Sequence, residues 1–120
     1  ADIDVFQRAK ASIGAGVYWL CNQAGISVLD LNRVYVCGAF GRLLDVNNAQ
    51  EIGLLPPVPL EKIRLEANSA LAGCEELLLS AEAEHLLTRV LTVFELYNMG
   101  EDSAFENLFI ENLYLQPLRT

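Results

Sequence analysis

Apolar residues recur at spacings of three, four and seven from Ile3 through Phe6, Ile13, Val17 and Leu20 to Ala24. That period draws one stripe along a helix, so the pattern predicts a single long helix over 2–24. Asp2 can cap its first turn, and Asp4 suits the positive end of the helix dipole. Gly25 followed by Ile26 is a stop signal, with glycine in the left-handed position and an apolar residue after it. Gly14 and Gly16 fall inside this helix, where each costs about 1 kcal/mol relative to alanine. Their placement means either close helix packing or close binding against that face. Ser27 and Asp30 are spaced as a capping box around a single turn.

The period then changes. Val34-Tyr35-Val36-Cys37 is an unbroken β-prone run, which suits a central strand covered on both faces in a parallel sheet. Asp45 is placed to cap a second helix carrying Val46, Ala49 and Ile52, with Gly53 at its end. The three prolines between Leu54 and Pro59 make a stiff extended connector. Ile63 to Glu66 alternates apolar and charged residues and predicts a flanking parallel strand, with the helix from Asp45 in the crossover. Asn68-Ser69 caps a helix to about Leu79, whose Ala70, Ala72 and Gly73 allow close approach. Ser80 starts a further helix to about Val90, and Thr92 to Tyr97 has strand composition. Gly100 and Asp102 lead into a last helix with Phe105, Leu108 and Phe109, and the apolar Leu113-Tyr114-Leu115 should be tied to the body. Alternating helices and strands make the class α/β, in a single domain over 1–120.

Composition narrows the function. At 120 residues and 52% apolar, the chain can build a core. A net charge of -8, with only Arg8/Lys10 and Lys62/Arg64 as basic pairs, argues against nucleic-acid binding. No apolar run reaches bilayer length and there is no signal-peptide pattern, so no membrane partner is expected. Cys21, Cys37 and Cys74 form no C-x-x-C pair and His85 is the one histidine, which excludes a metal or iron–sulfur site built from this chain alone. Their apolar contexts predict buried, reduced thiols and a cytoplasmic location. A thiol redox role lacks the spacing it needs. The chain does not begin with Met, as expected of a processed product or a piece of a larger protein.

The chemistry concentrates at the end of the predicted central strand. Gly38-Ala39-Phe40-Gly41 leaves two of its four residues without side chains, so the turn can take positive φ and admit a ligand to the main chain. In open α/β sheets ligands sit outside the carboxyl ends of the strands. The turn is thus either a nucleotide or phosphate contact or a tight structural turn. It is not the six-position dinucleotide fingerprint.

Four segments, Arg8-Ala9-Lys10-Ala11-Ser12-Ile13, Val34 through Gly41, Ile52-Gly53-Leu54-Leu55-Pro56 and Asn68-Ser69-Ala70-Leu71-Ala72-Gly73, occur in this order in one family. The chain resembles the C-terminal part of the ATP-dependent reductive activators of corrinoid proteins, which are ferredoxin-like proteins with an actin/chaperone/sugar-kinase-type ATPase domain. The resemblance implies part of an actin-like (ribonuclease H-like) ATPase lobe, with a short, mostly parallel sheet packed with helices. It implies a C-terminal nucleotide-binding subdomain supplying the adenosine half of an ATP site, with Gly38, Ala39, Phe40 and Gly41 beside the nucleoside. Gln7-Arg8-Ala9-Lys10 resembles the nucleoside-facing helix of heat-shock chaperones, so Gln7, Lys10 and Gly14 are candidate contacts on one helix face. Two departures stand out. The family usually has two glycines before the Phe, where this chain has Gly38-Ala39, and the phosphate hairpins, metal carboxylate and iron–sulfur domain of the family lie upstream. The implied cofactors are therefore ATP, with Mg in the parent, and an iron–sulfur cluster only in the upstream domain. The implied partners are a corrinoid protein of a methyltransferase system, the upstream ATPase lobe and the ferredoxin domain, with room for a homodimer. The parent would be an ATPase and redox activator, and the fragment alone inactive. The alternative is a docking or oligomerisation module with a purely structural glycine turn, using an acidic surface and an apolar C-terminal tail.

Overall fold

The computed structural model describes residues 2–119, with Phe40 described through its backbone only. Contacts divide the chain into two compact units, one of residues 2–34, 44–64 and 98–119, the other of residues 35–43 and 65–97.

The first unit is built on α1 (Asp2–Gln23). Its end is closed by Gly25 at φ 67°, with the Ile26 N–H donating to Cys21 O and the Gly25 N–H to Asn22 O. This paired arrangement satisfies carbonyls that a helix end otherwise leaves open. Ser27 and Asp30 form the expected capping box around the single turn Val28–Asp30. In α3 (Val46–Glu51) the Asp45 carboxyl accepts from the Asn48 N–H at 2.9 Å, and Gly53 follows at φ 73°. The proline connector is held by Gln50, whose amide donates to both Pro56 O and Val58 O at 2.8 Å. Asp102 starts α6 (Ser103–Glu111) by accepting from the Ala104 and Phe105 N–H groups, and α6 packs against α1. The Phe105 N–H is the main reason the Asp102 carboxyl sits below its usual range, with the Trp19 side chain a further donor. The core comprises Ala11, Ala15, Trp19, Cys21, Val28, Ala49, Leu55, Val58, Ile63 and Leu118.

The second unit holds the four-residue α2 (Phe40–Leu43) and a packed helix pair, α4 (Ser69–Leu79) and α5 (Ala83–Val93). Asn68 caps α4 by accepting from the Leu71 N–H, and Ser80 Oγ accepts from the Glu82 N–H just before α5. No residue of α4 or α5 is buried. Strands β1 (Val34–Val36) and β2 (Ile63–Leu65) carry the chain from the first unit into the second and pair as a two-stranded sheet. The bonds Glu66 N–H to Val36 O and Gly38 N–H to Ala67 O advance in the same direction along both chains, so the pairing is parallel.

Several expectations need correction. The strand expected to be central is one of only two among the described residues, so each strand of this sheet is an edge. Thr92 to Tyr97 is not a strand. Helix α5 continues through Val93, Thr92 Oγ1 donates back to Arg89 O, and the chain leaves the helix at Phe94 without a ladder partner. Strand propensity expresses itself only where a neighbouring strand is on offer. Of the cysteines Cys21 is buried, whereas Cys37 and Cys74 are exposed. A Cβ at Gly73 of α4 would meet nothing among the described residues, and neither would one at Gly16 of α1.

Candidate functional site

Both glycines that bracket the turn after β1 are required, for different reasons. Gly38 sits at φ 86°, a conformation that L residues rarely adopt, and a Cβ there would meet nothing within 4 Å. Its space is open, so something from outside can approach the main chain at that point. Gly41 is buried, and a Cβ there would lie 1.9 Å from Glu66 O and 2.7 Å from Val36 O. Gly41 thus lets the turn close against the strand that follows. Between them Ala39 is exposed, and no described residue other than glycine has a positive φ, so its methyl group strains nothing. The Gly38 N–H donates to Ala67 O at 2.6 Å and the Gly41 N–H to Gly38 O at 3.1 Å. These bonds fix the turn to the end of β2.

In front of the turn lies an open recess of about 400 Å³ lined by Gly38, Ala39, Arg42, Ala67 and Asn68. Three of its five lining residues are glycine or alanine, which gives it flat walls. Its polar side chains are the Arg42 guanidinium, a donor only, and the Asn68 amide. Among the described residues no carboxylate lines it. Arg42 and Asn68 were not among the residues singled out for chemistry from sequence. Arg42 directly follows the turn in sequence, and the parallel pairing could have found Asn68, because it sets the carboxyl ends of both strands side by side and so brings the residues after β2 to the turn after β1.

The helix residues proposed for the same chemistry are engaged elsewhere. Lys10 is 1% exposed, and its Nζ donates to Asn112 O at 3.0 Å and Tyr114 O at 2.8 Å. Burial lowers the pKa of its amine. Gln7 Nε2 donates to Leu113 O at 3.2 Å. Gly14 lies against the same segment, since a Cβ there would come within 3.0 Å of Asn112 Oδ1 and Leu118 Cδ2. Tyr18 OH donates to Arg119 O, and Gly53 leaves no room for a Cβ beside Gln116 O. Gln7, Lys10 and Gly14 therefore do share a face, as their spacing predicts, and that face holds the C-terminal strap of residues 112–119. The tail is tied down as expected, although Tyr114 and Leu115 themselves stay exposed.

No group of three or more His, Cys, Asp or Glu side chains among the described residues is arranged to hold a metal ion. No helix of the described residues is long and apolar enough to cross a membrane.

Comparison with known proteins identifies the family of the chain. The chain is 33% identical over 111 residues to the corrinoid activation enzyme RamQ of Eubacterium limosum, a match covering 92% of this chain and 19% of that protein. It superimposes on the solved structure of a reductive activator for corrinoid, iron-sulfur protein with a TM-score of 0.87 and 28% identity, over 99% of this chain and 19% of that one. The chain thus spans about a fifth of the length of these relatives. The family model for the C-terminal domain of RACo, the ASKHA domain, matches residues 1–120. The chain belongs to that family, the C-terminal part of the reductive activators of corrinoid proteins.

Proposed function

We propose that this chain is the nucleotide-binding subdomain of an ATP-dependent reductive activator of a corrinoid protein, and that the recess at Gly38 takes the nucleoside end of ATP. The observation that carries this reading is the open approach to the main chain at Gly38, held at positive φ at the carboxyl end of a parallel strand. Gly16, Gly25 and Gly73 are equally open among the described residues, so what supports the reading is the place of Gly38 at the strand end, lining the recess. The recess fits such a ligand, being flat-walled, free of carboxylates and supplied with donors at Arg42 and Asn68. Purine rings present acceptor nitrogens at their edges and broad faces for contact. We assign Gln7, Lys10 and Gly14 to anchoring the strap, because their polar groups and close contacts are already spent on it.

In this reading phosphate and Mg contacts come from the other four fifths of a protein the size of the relatives. ATP held there would favour one arrangement of activator and corrinoid protein over another, and a difference in affinity between the two arrangements is what lets a ligand drive an unfavourable step. Ala39→Leu tests the site, because Ala39 has an ordinary backbone and a larger side chain fills the recess without strain. In the full-length protein, calorimetry should show ATP binding lost or weakened by at least about tenfold, with Tm preserved. Unchanged affinity in a folded Ala39→Leu protein would return the turn to a structural role and favour the docking-module alternative.

A further inference from the structure

Asn68 carries two roles that can be separated. Its Oδ1 accepts from the Leu71 N–H at 3.0 Å, which caps α4 and fixes which end of the amide is oxygen. The Nδ2 end, with two N–H donors, is thereby the end left over, and Asn68 lines the recess opposite the glycine turn. The turn is bonded to the residue just before it, through the Gly38 N–H and Ala67 O. The cap and the backbone bond together hold the side chain in register with the recess, so little freedom remains to be lost when it makes a contact.

We propose that Asn68 is a specificity-determining residue of the nucleoside recess, donating from Nδ2 to an acceptor on the base or ribose. This rests on the nucleoside reading of the recess. A capping residue is usually explained by its helix alone, and Ser, Thr or Asp would cap as well. Asn differs from Asp in offering donors while its oxygen is occupied, and from Ser and Thr in offering two of them from a separate atom further out on the side chain. With Arg42 it makes the polar side-chain inventory of the recess one of donors, which selects a ligand edge bearing acceptors.

The test uses Asn68→Asp and Asn68→Ser in the full-length protein, titrated with ATP and separately with adenosine. Both substitutions keep a capping oxygen; Asp removes the donors and Ser leaves one hydroxyl proton on a shorter side chain, so Tm should stay close to that of the parent. Affinity for both ligands should fall roughly three- to tenfold, the effect of one lost neutral hydrogen bond. Adenosine is uncharged, so its loss cannot come from repulsion by the new carboxylate. Weakened ATP binding by Asn68→Asp alone, with adenosine unaffected, would mean simple charge repulsion and overturn the proposal. Unchanged affinities alongside a binding parent would overturn it too, while leaving the recess in place. A parent protein that binds neither ligand would take down the nucleoside reading and this inference with it.

Discussion

In the first unit α1 buries not the stripe expected from its periodicity, whose Ile3, Phe6, Ile13 and Leu20 are exposed, but the face of Ala11, Ala15, Trp19 and Cys21, and residues as distant as Val28, Ala49, Ile63 and Leu118 complete that core. In the second, α4 and α5 carry an equally apolar set, yet Leu78 is 84% exposed, Leu79 86% and Val93 75%. Among the described residues, all the buried apolar side chains belong to the first unit. The first unit is therefore held by burial and by side-chain bonds to its strap. The second is held by helix hydrogen bonds, the Asn68 cap, the backbone bonds at the strand ends and the contact of one helix with another. Marginal elements of that kind open at low free energy, and ligand-binding segments are commonly drawn from them. The proposed recess lies in the second unit, where a bound nucleotide has most order to add.

Substitutions should separate the two units sharply. Trp19→Ala in the first should cost about 3–5 kcal/mol in chemical denaturation, as large-to-small changes of a buried aromatic do. Leu79→Ala in the second should change stability by less than about 0.5 kcal/mol in the 120-residue chain, since nothing there is uncovered by its loss. Equal costs would erase the contrast. The exception in the second unit is Gly41→Ala, expected to cost about 3 kcal/mol because its Cβ would overlap Glu66 O.

Lys10→Met asks how much of the first unit rests on the strap. It removes two hydrogen bonds from a charged donor and leaves two carbonyls unmet, a loss of about 3 kcal/mol. Carboxypeptidase digestion of the variant should run faster than in the parent protein. An unchanged Tm and digestion rate would show that the strap is held by Leu118 and its neighbours instead.

The order of elements was legible from periodicity and caps: Asp45, Asn68 and Asp102 each begin the helix they were expected to begin. Periodicity marks an apolar face but says nothing about whether that face is covered. This is why the α4–α5 pair read as ordinary core helices, and why Cys37 and Cys74 were expected to be buried. Thr92–Tyr97 misled for a related reason, since composition proposes a strand and only a partner makes one. In the site, Gly38 and Gly41 were visible as punctuation, whereas their separate duties depend on what a Cβ would touch. Arg42 stands next to the turn in sequence, Asn68 came from pairing across the sheet, and the role of Lys10 from a tail more than a hundred residues away.

A smaller effect sharpens the contrast by pH. Burial raises the pKa of the Cys21 thiol above its ordinary value of 9.0, and burial with the nearby Cys21 does the same for Tyr18 above 10.0. The folded state then holds these protons where the unfolded state has released them, so their contribution is full below pH 9.0 and is lost as pH rises through the folded values. Lys10 acts in the opposite sense: its folded pKa is lowered, so stability gains as pH rises from that value toward 10.5. The difference in Tm between the parent chain and Cys21→Ser, which has no thiol to ionise, should therefore shift against the parent from about pH 9 upward. A difference that stays constant to pH 10.5 would contradict the burial of Cys21. Least perturbing of all, a thiol reagent should label Cys37 and Cys74 rapidly and Cys21 slowly in the native chain. Slow labelling at all three would mean the second unit is covered after all.

Amide hydrogen exchange of the full-length protein, with and without ATP, tests the central claim most directly, because it reads the glycine turn and the α1 face in one experiment. The account predicts that ATP slows exchange at Gly38 to Arg42 and at Asn68 to Leu71, and leaves Gln7 to Gly14 as they were. Protection confined to Gln7 through Gly14, or none in either segment with ATP demonstrably bound, would contradict it.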